Sequence, residues 1–297
     1  MTQRVALRVA LLVGAAAGLL VGLTAYFSSE KIPPCLVAGA PKWRPPTDRD
    51  RHRFLLVVPD RALCFYAIDD GHKLVGAVKL RGIRGIDAIE PRPDGRLAVR
   101  YEPGRAALVD LATGNAEDGV RPPPAPSELV TAIDAEAAVV YSTRPHVFGF
   151  TVFDPETFRE RRITFPGFAW NPRFGPDPPD HGLALFLRRR ELWVLDAPNS
   201  VAHVYDISGV PGTPPRHLDD VRFSKPLSGD ENPCAHPHCG RLGSLLHSSD
   251  GRYVYVGDSG DVIDAAKREQ LVNLEALHQS RLMLEVDWVA GKPVFPR

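Results

Sequence analysis

A short apolar run that ends in an aspartate recurs five times along this chain, each time before a turn. The copies are Cys64-Phe65-Tyr66-Ala67-Ile68-Asp69, Ala107-Leu108-Val109-Asp110, Thr151-Val152-Phe153-Asp154, His203-Val204-Tyr205-Asp206 and Asp261-Val262-Ile263-Asp264. The intervals from Asp69 to Asp110 and from Asp110 to Asp154 match a period of about 40 to 45 residues, which in strand-rich sequence marks one propeller blade per repeat. The intervals that end at Asp206 and Asp264 are longer, so insertions sit there.

The rest of the pattern agrees with an all-β propeller. The 29 prolines and 25 glycines suit many short strands joined by turns and disfavour a helical bundle. Alternating apolar runs predict three strands over residues 54–80 and four each over 85–121, 129–165, 182–223 and 242–274. The first unit lacks an opening strand, while Leu282 to Trp288 is one strand to spare at the chain end. Donating that strand to the first blade closes the ring and leaves no free sheet edge. The expectation is five recognisable four-stranded blades in a ring of up to six or seven, with room for a degenerate sixth between Asp154 and Asp264. Residues 53–297 form the propeller domain.

The N-terminus reads differently. Val9 to Phe27 is an uncharged, mostly apolar run preceded by Arg4 and Arg8. A bilayer core needs roughly 20 helical residues, and basic flanks stay cytoplasmic. No small-residue cleavage site follows, since Tyr26 and Phe27 end the run. Residues 1–28 are therefore expected to be a cytoplasmic stub and transmembrane anchor, which puts the propeller on the periplasmic or extracellular side. Gly14, Gly18 and Gly22 align on one face of that helix, a small-residue strip suited to close packing against a membrane-protein partner. Residues 29–52, interrupted by Pro33-Pro34, Pro41 and Pro45-Pro46, are expected to be an extended spacer.

The last repeat, Ser249-Asp250-Gly251-Arg252-Tyr253-Val254-Tyr255-Val256 followed by Asp261-Val262-Ile263-Asp264, resembles the repeat of YVTN-type (YncE-like) bacterial β-propellers. Pro93-Asp94-Gly95-Arg96-Leu97-Ala98-Val99 and Glu191-Leu192-Trp193-Val194 are weaker copies. The resemblance implies the quinoprotein-dehydrogenase-like propeller superfamily, whose members are often extracytoplasmic and share no single activity or catalytic set.

Candidate chemistry is sparse. Cys234, His236, His238 and Cys239 lie within six residues of the longest insertion and are the right donor types for zinc or copper. In an oxidising compartment a Cys234–Cys239 disulfide competes with that reading. Cys64 is expected as a buried core thiol, and Cys35 as free or bonded to another chain. Phe168, Trp170, Arg173 and Phe174 add aromatic rings and a cation to the other insertion, a composition enriched at binding surfaces. Arg188 to Arg190 reads as a solvated hairpin tip. Gly257-Asp258-Ser259-Gly260-Asp261 reads as a blade turn and not as a nucleophile or calcium loop. Lys+Arg 36 against Asp+Glu 36 offers no electrostatic footprint for nucleic acid.

These observations favour a membrane-anchored, extracytoplasmic propeller that binds a protein partner, without a cofactor. Its contacts would be the glycine face, the two insertions and the bilayer at residues 9–27. Two alternatives stand beside it: a metal-dependent redox or hydrolytic enzyme using the Cys/His insertion, and a small-ligand or glycan-binding propeller.

Overall fold

The computed structural model describes residues 32–37, 40–101, 104–123, 131–143, 147–168, 182–227 and 243–296. The predicted anchor with Gly14, Gly18 and Gly22, the residues Trp170, Arg173 and Phe174, and the whole Cys234–Cys239 run lie outside them. Among the described residues no helix is long and apolar enough to cross a membrane.

Residues 33–297 form one compact unit, and its regular structure among the described residues is strands with a few short 3-10 turns. Its first sheet joins β1 (Arg51–Val57), β2 (Ala62–Ala67) and β3 (Lys73–Lys79) to two strands from the chain end, β20 (Met283–Val289) and β21 (Lys292–Val294), in the order β21-β20-β1-β2-β3. The second sheet is β4 (Ile86–Pro91), β5 (Leu97–Tyr101), β6 (Arg105–Val109) and β7 (Ala116–Asp118). The third is β8 (Thr131–Asp134), β9 (Val139–Ser142), β10 (Gly149–Asp154) and β11 (Arg159–Thr164). The fourth is β12 (Leu183–Phe186), β13 (Glu191–Asp196), β14 (Val201–Asp206) and β15 (Arg216–Arg222), and the fifth β16 (Ser244–His247), β17 (Tyr253–Gly257), β18 (Asp261–Asp264) and β19 (Glu269–Asn273). Each is an antiparallel meander of consecutive strands, as the repeat predicts, and the five together fit a β-propeller. Among the described residues no sixth blade lies between Asp154 and Asp264.

Why these residues form strands is visible in their alternation. In β10, Phe150 and Val152 point into an apolar cluster shared with the fourth sheet, next to Leu192, Val194 and Tyr205. Four such clusters join the first sheet to the second, the first to the fifth, the fifth to the fourth and the fourth to the third. Each sheet hides its apolar faces only against neighbours, so a single blade is not a stable object.

The C-terminal strand takes the expected place in the first sheet. β20 pairs with β1 over seven residues, from Arg51↔Val289 to Val57↔Met283. Val286 and Trp288 turn into the cluster shared with the second sheet. The opposite face of β20 is buried too, which the polar identities of Glu285 and Asp287 conceal. Glu285 accepts a hydrogen bond from the Ser249 amide at 2.8 Å and sits beside Arg53, whose Nη1 donates to Asp250 at 2.8 Å and Asp69 at 3.2 Å. A charged network thus ties the closing strand to the first turn of the fifth sheet.

The stretch expected as a free spacer carries two anchors. Cys35 is bonded to Cys64, so Cys64 is buried as expected but is not a thiol, and Cys35 is committed within the chain. A few residues on, Lys42 bridges Ala77 in parallel on the outer edge of the first sheet, and the Trp43 ring stacks on Phe65 at 3.8 Å with an interplanar angle of 5°. Gly76 makes this possible: a Cβ there would lie 2.5 Å from the Trp43 Cα. Sequence reading saw the prolines and missed the one buried tryptophan among them.

Arg188 to Arg190 is a second departure. Arg190 reaches the fully buried Asp134 of the third sheet at 2.8 Å, and Arg189 pairs with Glu191 at 3.2 Å. Arg188 is exposed at the tip as expected, while Arg190 makes an inter-blade ion pair.

Candidate functional site

Three sheets carry the same irregularity in their outer hairpin. The register shifts between Phe65 and Tyr66, between Val204 and Tyr205, and between Val262 and Ile263. One residue ahead of each of these pairs stand Cys64, His203 and Asp261, all fully or almost fully buried. In the first sheet that position holds the disulfide. In the fifth, Asp261 accepts hydrogen bonds from the backbone and hydroxyl of Ser224, from Ser259 and from Asn273, fastening the connection that enters the sheet. These are structural clamps.

The fourth sheet differs in chemistry. His203 Nδ1 lies 2.6 Å from Asp220 Oδ1, and its Nε2 lies 3.2 Å from Asp196 Oδ2. His217 Nε2 approaches the same Asp220 oxygen at 2.7 Å. Asp196 is itself held by the amide and side chain of Asn199, at 3.2 and 2.8 Å. The bulge sets this geometry. His203 pairs with Asp220 and Tyr205 with His217, so the extra residue in β15 brings two side chains three positions apart to one face. The rings of Phe165 and Phe168 pack on His203 with centroids 4.1 and 5.0 Å away, and Arg222 lies over Phe168 at 5.6 Å. Phe168 is thus the one member of the predicted aromatic insertion within the described residues, and it roofs this cluster.

Electrostatics separate the members. Burial works to raise the Asp220 carboxyl, but hydrogen bonds from His203 and His217 hold it below its ordinary value. Burial also raises the Tyr205 hydroxyl, which has no hydrogen-bond partner among the described residues, and the Tyr205 ring meets His217 at 5.4 Å. Side-chain exposure is 0% for His203 and Asp196 but 30% and 31% for His217 and Asp220, so the cluster is closed at its base and open at its rim.

Asp258 carries a different perturbation. Burial pushes its carboxyl up to about 7, against the pull of Arg281 and the Gly243 amide. A raised folded-state value means proton uptake on folding. Its stabilising effect is complete below the ordinary carboxyl value of about 4 and is lost as pH rises to about 7. Wild type is expected to lose stability relative to Asp258→Asn across that window and to run parallel to it above pH 8. Urea midpoints at four pH values check this; parallel curves throughout would contradict it.

The sequence singles out Cys234, His236, His238 and Cys239 as candidate ligands, and His203 stands in it only as a strand residue. The available signal was a histidine inside an otherwise apolar strand, with His217 and Asp220 opposite.

No protein-family model matches this sequence, and no curated protein does. Among solved structures, the nidogen/laminin complex aligns with 12% identity over 80% of this chain and 99% of that chain, at a TM-score of 0.42. A Lactobacillus plantarum protein aligns with 14% identity over 76% of this chain, which spans 66% of the other's length, at a TM-score of 0.34.

Proposed function

We propose that this chain is a membrane-tethered, extracytoplasmic propeller of the YVTN type that serves as a docking subunit for a protein partner in the same membrane. The observation that carries the compartment is the Cys35–Cys64 disulfide, eight residues after the predicted anchor, because stable disulfides belong to oxidising compartments. The YVTN reading draws support from the turn at Ser249-Asp250-Gly251-Arg252 and the Asp264 that caps β18 and accepts from the Ala266 and Lys267 amides.

Docking draws support from one face of the third sheet. Ile133, Val140 and Phe153 are aligned across β8, β9 and β10. They belong to none of the four apolar clusters. Ile133 is 66% exposed, and Phe158, beside Phe153, is 83% exposed. Exposed apolar side chains grouped in this way mark contact surfaces.

The test is co-purification of the full chain in mild detergent, with and without Ile133→Asp and Phe158→Asp. The variants are expected to melt within a few degrees of wild type and to lose the co-purifying partner. A wild-type chain always recovered alone counts against docking. Activity of a cytoplasm-only reporter fused after Arg297 would overturn the compartment.

A further inference from the structure

We propose that His203, His217 and Asp220 bind one divalent transition-metal ion of the zinc class, with Asp196 as the positioning group behind His203. The site is independent of the docking reading and of the Cys/His run at 234–239.

The donor atoms are gathered at hydrogen-bond distance, 2.6 Å from His203 and 2.7 Å from His217 to one Asp220 oxygen, and a bound ion would spread them to about 3.3 Å. One ring nitrogen from each histidine and one Asp220 oxygen lie within 4.8 Å of one another. Two imidazoles and a carboxylate are a common ligand set for zinc and related ions. The hydrogen-bond arithmetic leaves two solutions, a second proton on His203 or a metal ion at its Nδ1 side. A neutral imidazole has one N–H and one lone pair. His203 nevertheless turns both nitrogens toward carboxylate oxygens, at 2.6 and 3.2 Å. With Nε2–H donated to Asp196, the Nδ1 lone pair would face an Asp220 oxygen, a repulsive contact inside a buried site. An ion at the Nδ1 side converts both lone pairs into ligands.

The surroundings have the order expected of a metal centre. Asp196 on the far nitrogen of His203, itself fixed by Asn199, is the carboxylate–histidine arrangement that sets tautomer and ring direction in metal sites. Phe165, Phe168 and Tyr205 wall the buried side, while His217 and Asp220 open to solvent and give an entry path. The rival is an imidazolium held between Asp196 and Asp220 with no metal, the clamp that Cys64 and Asp261 provide in the other sheets.

The experiment uses full-length protein made without a histidine tag, stripped with chelator and titrated with Co2+ and then Zn2+. The expected result is one equivalent of Co2+ with visible d–d absorption, displaced by Zn2+. His217→Gln and Asp220→Asn, both at the open rim, should abolish the band while keeping the far-ultraviolet spectrum and cooperative melting. Asp196→Asn should weaken binding about 10- to 100-fold. A His236→Gln, His238→Gln double variant should bind as wild type does. No stoichiometric uptake by wild type overturns the proposal, as does a band that survives His217→Gln and Asp220→Asn or is lost in the His236, His238 variant.

Discussion

A chain shortened by residues 281–297 is expected not to fold cooperatively, although it loses only its end. That segment carries Met283, Val286 and Trp288, buried at 9%, 0% and 1% exposure. Burying an apolar side chain of this size is worth about 1.5–3 kcal/mol. Three of them approach the reserve of about 5–15 kcal/mol that a whole domain holds. The deletion also strips the hydrogen-bonding edge of β1 over seven residue pairs and bares one side of the cluster shared with the second sheet. Arg53 would lose Glu285 as a partner, and the Ser249 amide would lose its acceptor. Loss of the cooperative transition by calorimetry is the expected outcome. A truncated protein that melts near wild type would mean that β20 does not close the ring. Within the strand, Val286→Asp should be as severe, because it puts a charge into the apolar cluster. Glu285→Ala should also be destabilising, because it removes a countercharge from the largely buried Arg53 and the acceptor of the Ser249 amide.

Glu285 shows where reading the sequence succeeds and where it stops. The period-2 pattern of Leu-Met-Leu-Glu-Val-Asp-Trp identifies a strand, and the missing first strand of the opening unit says where it must go. Nothing in that pattern says that both faces of the strand are buried. β20 is covered by the second sheet on one face and by the fifth on the other, so its polar residues become paired interior groups. The same physics hides the His203 cluster. Local periodicity reveals strands because it is written within a few residues, and it revealed all five sheets. The pairing of His203 with Asp220 depends on a one-residue bulge in β15, and bulges leave no mark in an alternation already interrupted by Leu218-Asp219. The Cys35–Cys64 bond was hidden for a different reason. Prolines at 33, 34, 41, 45 and 46 suggest a spacer, yet proline also fixes the chain along a surface when one tryptophan and one cysteine give it something to hold.

That segment yields the second large effect. Replacing both Cys35 and Cys64 by alanine is expected to destabilise the domain by about 2–5 kcal/mol, the usual range for a native disulfide. The bond spans 29 residues of sequence, a loop long enough for the unfolded chain to gain substantial freedom when it is cut. The folded state loses more than a crosslink, because the disulfide holds the segment that delivers Trp43 to Phe65, Phe54 and Trp288. If that stack depends on the bond, Trp43→Ala and the cysteine pair should couple: the triple variant should be less destabilised than the two effects added. Gly76→Val offers an independent check, since a Cβ at that position collides with the Trp43 backbone while the disulfide stays intact. Both sulfur-bearing residues are at most 1% exposed, so a reductant reaches the bond only after the segment lifts. Reduction of wild type should therefore be slow in native buffer and faster in Gly76→Val, followed by thiol labelling over time. A mass shift showing immediate reduction in both proteins, or equal melting temperatures for wild type and the double alanine variant, would mean that the segment rests on the propeller without being fastened to it.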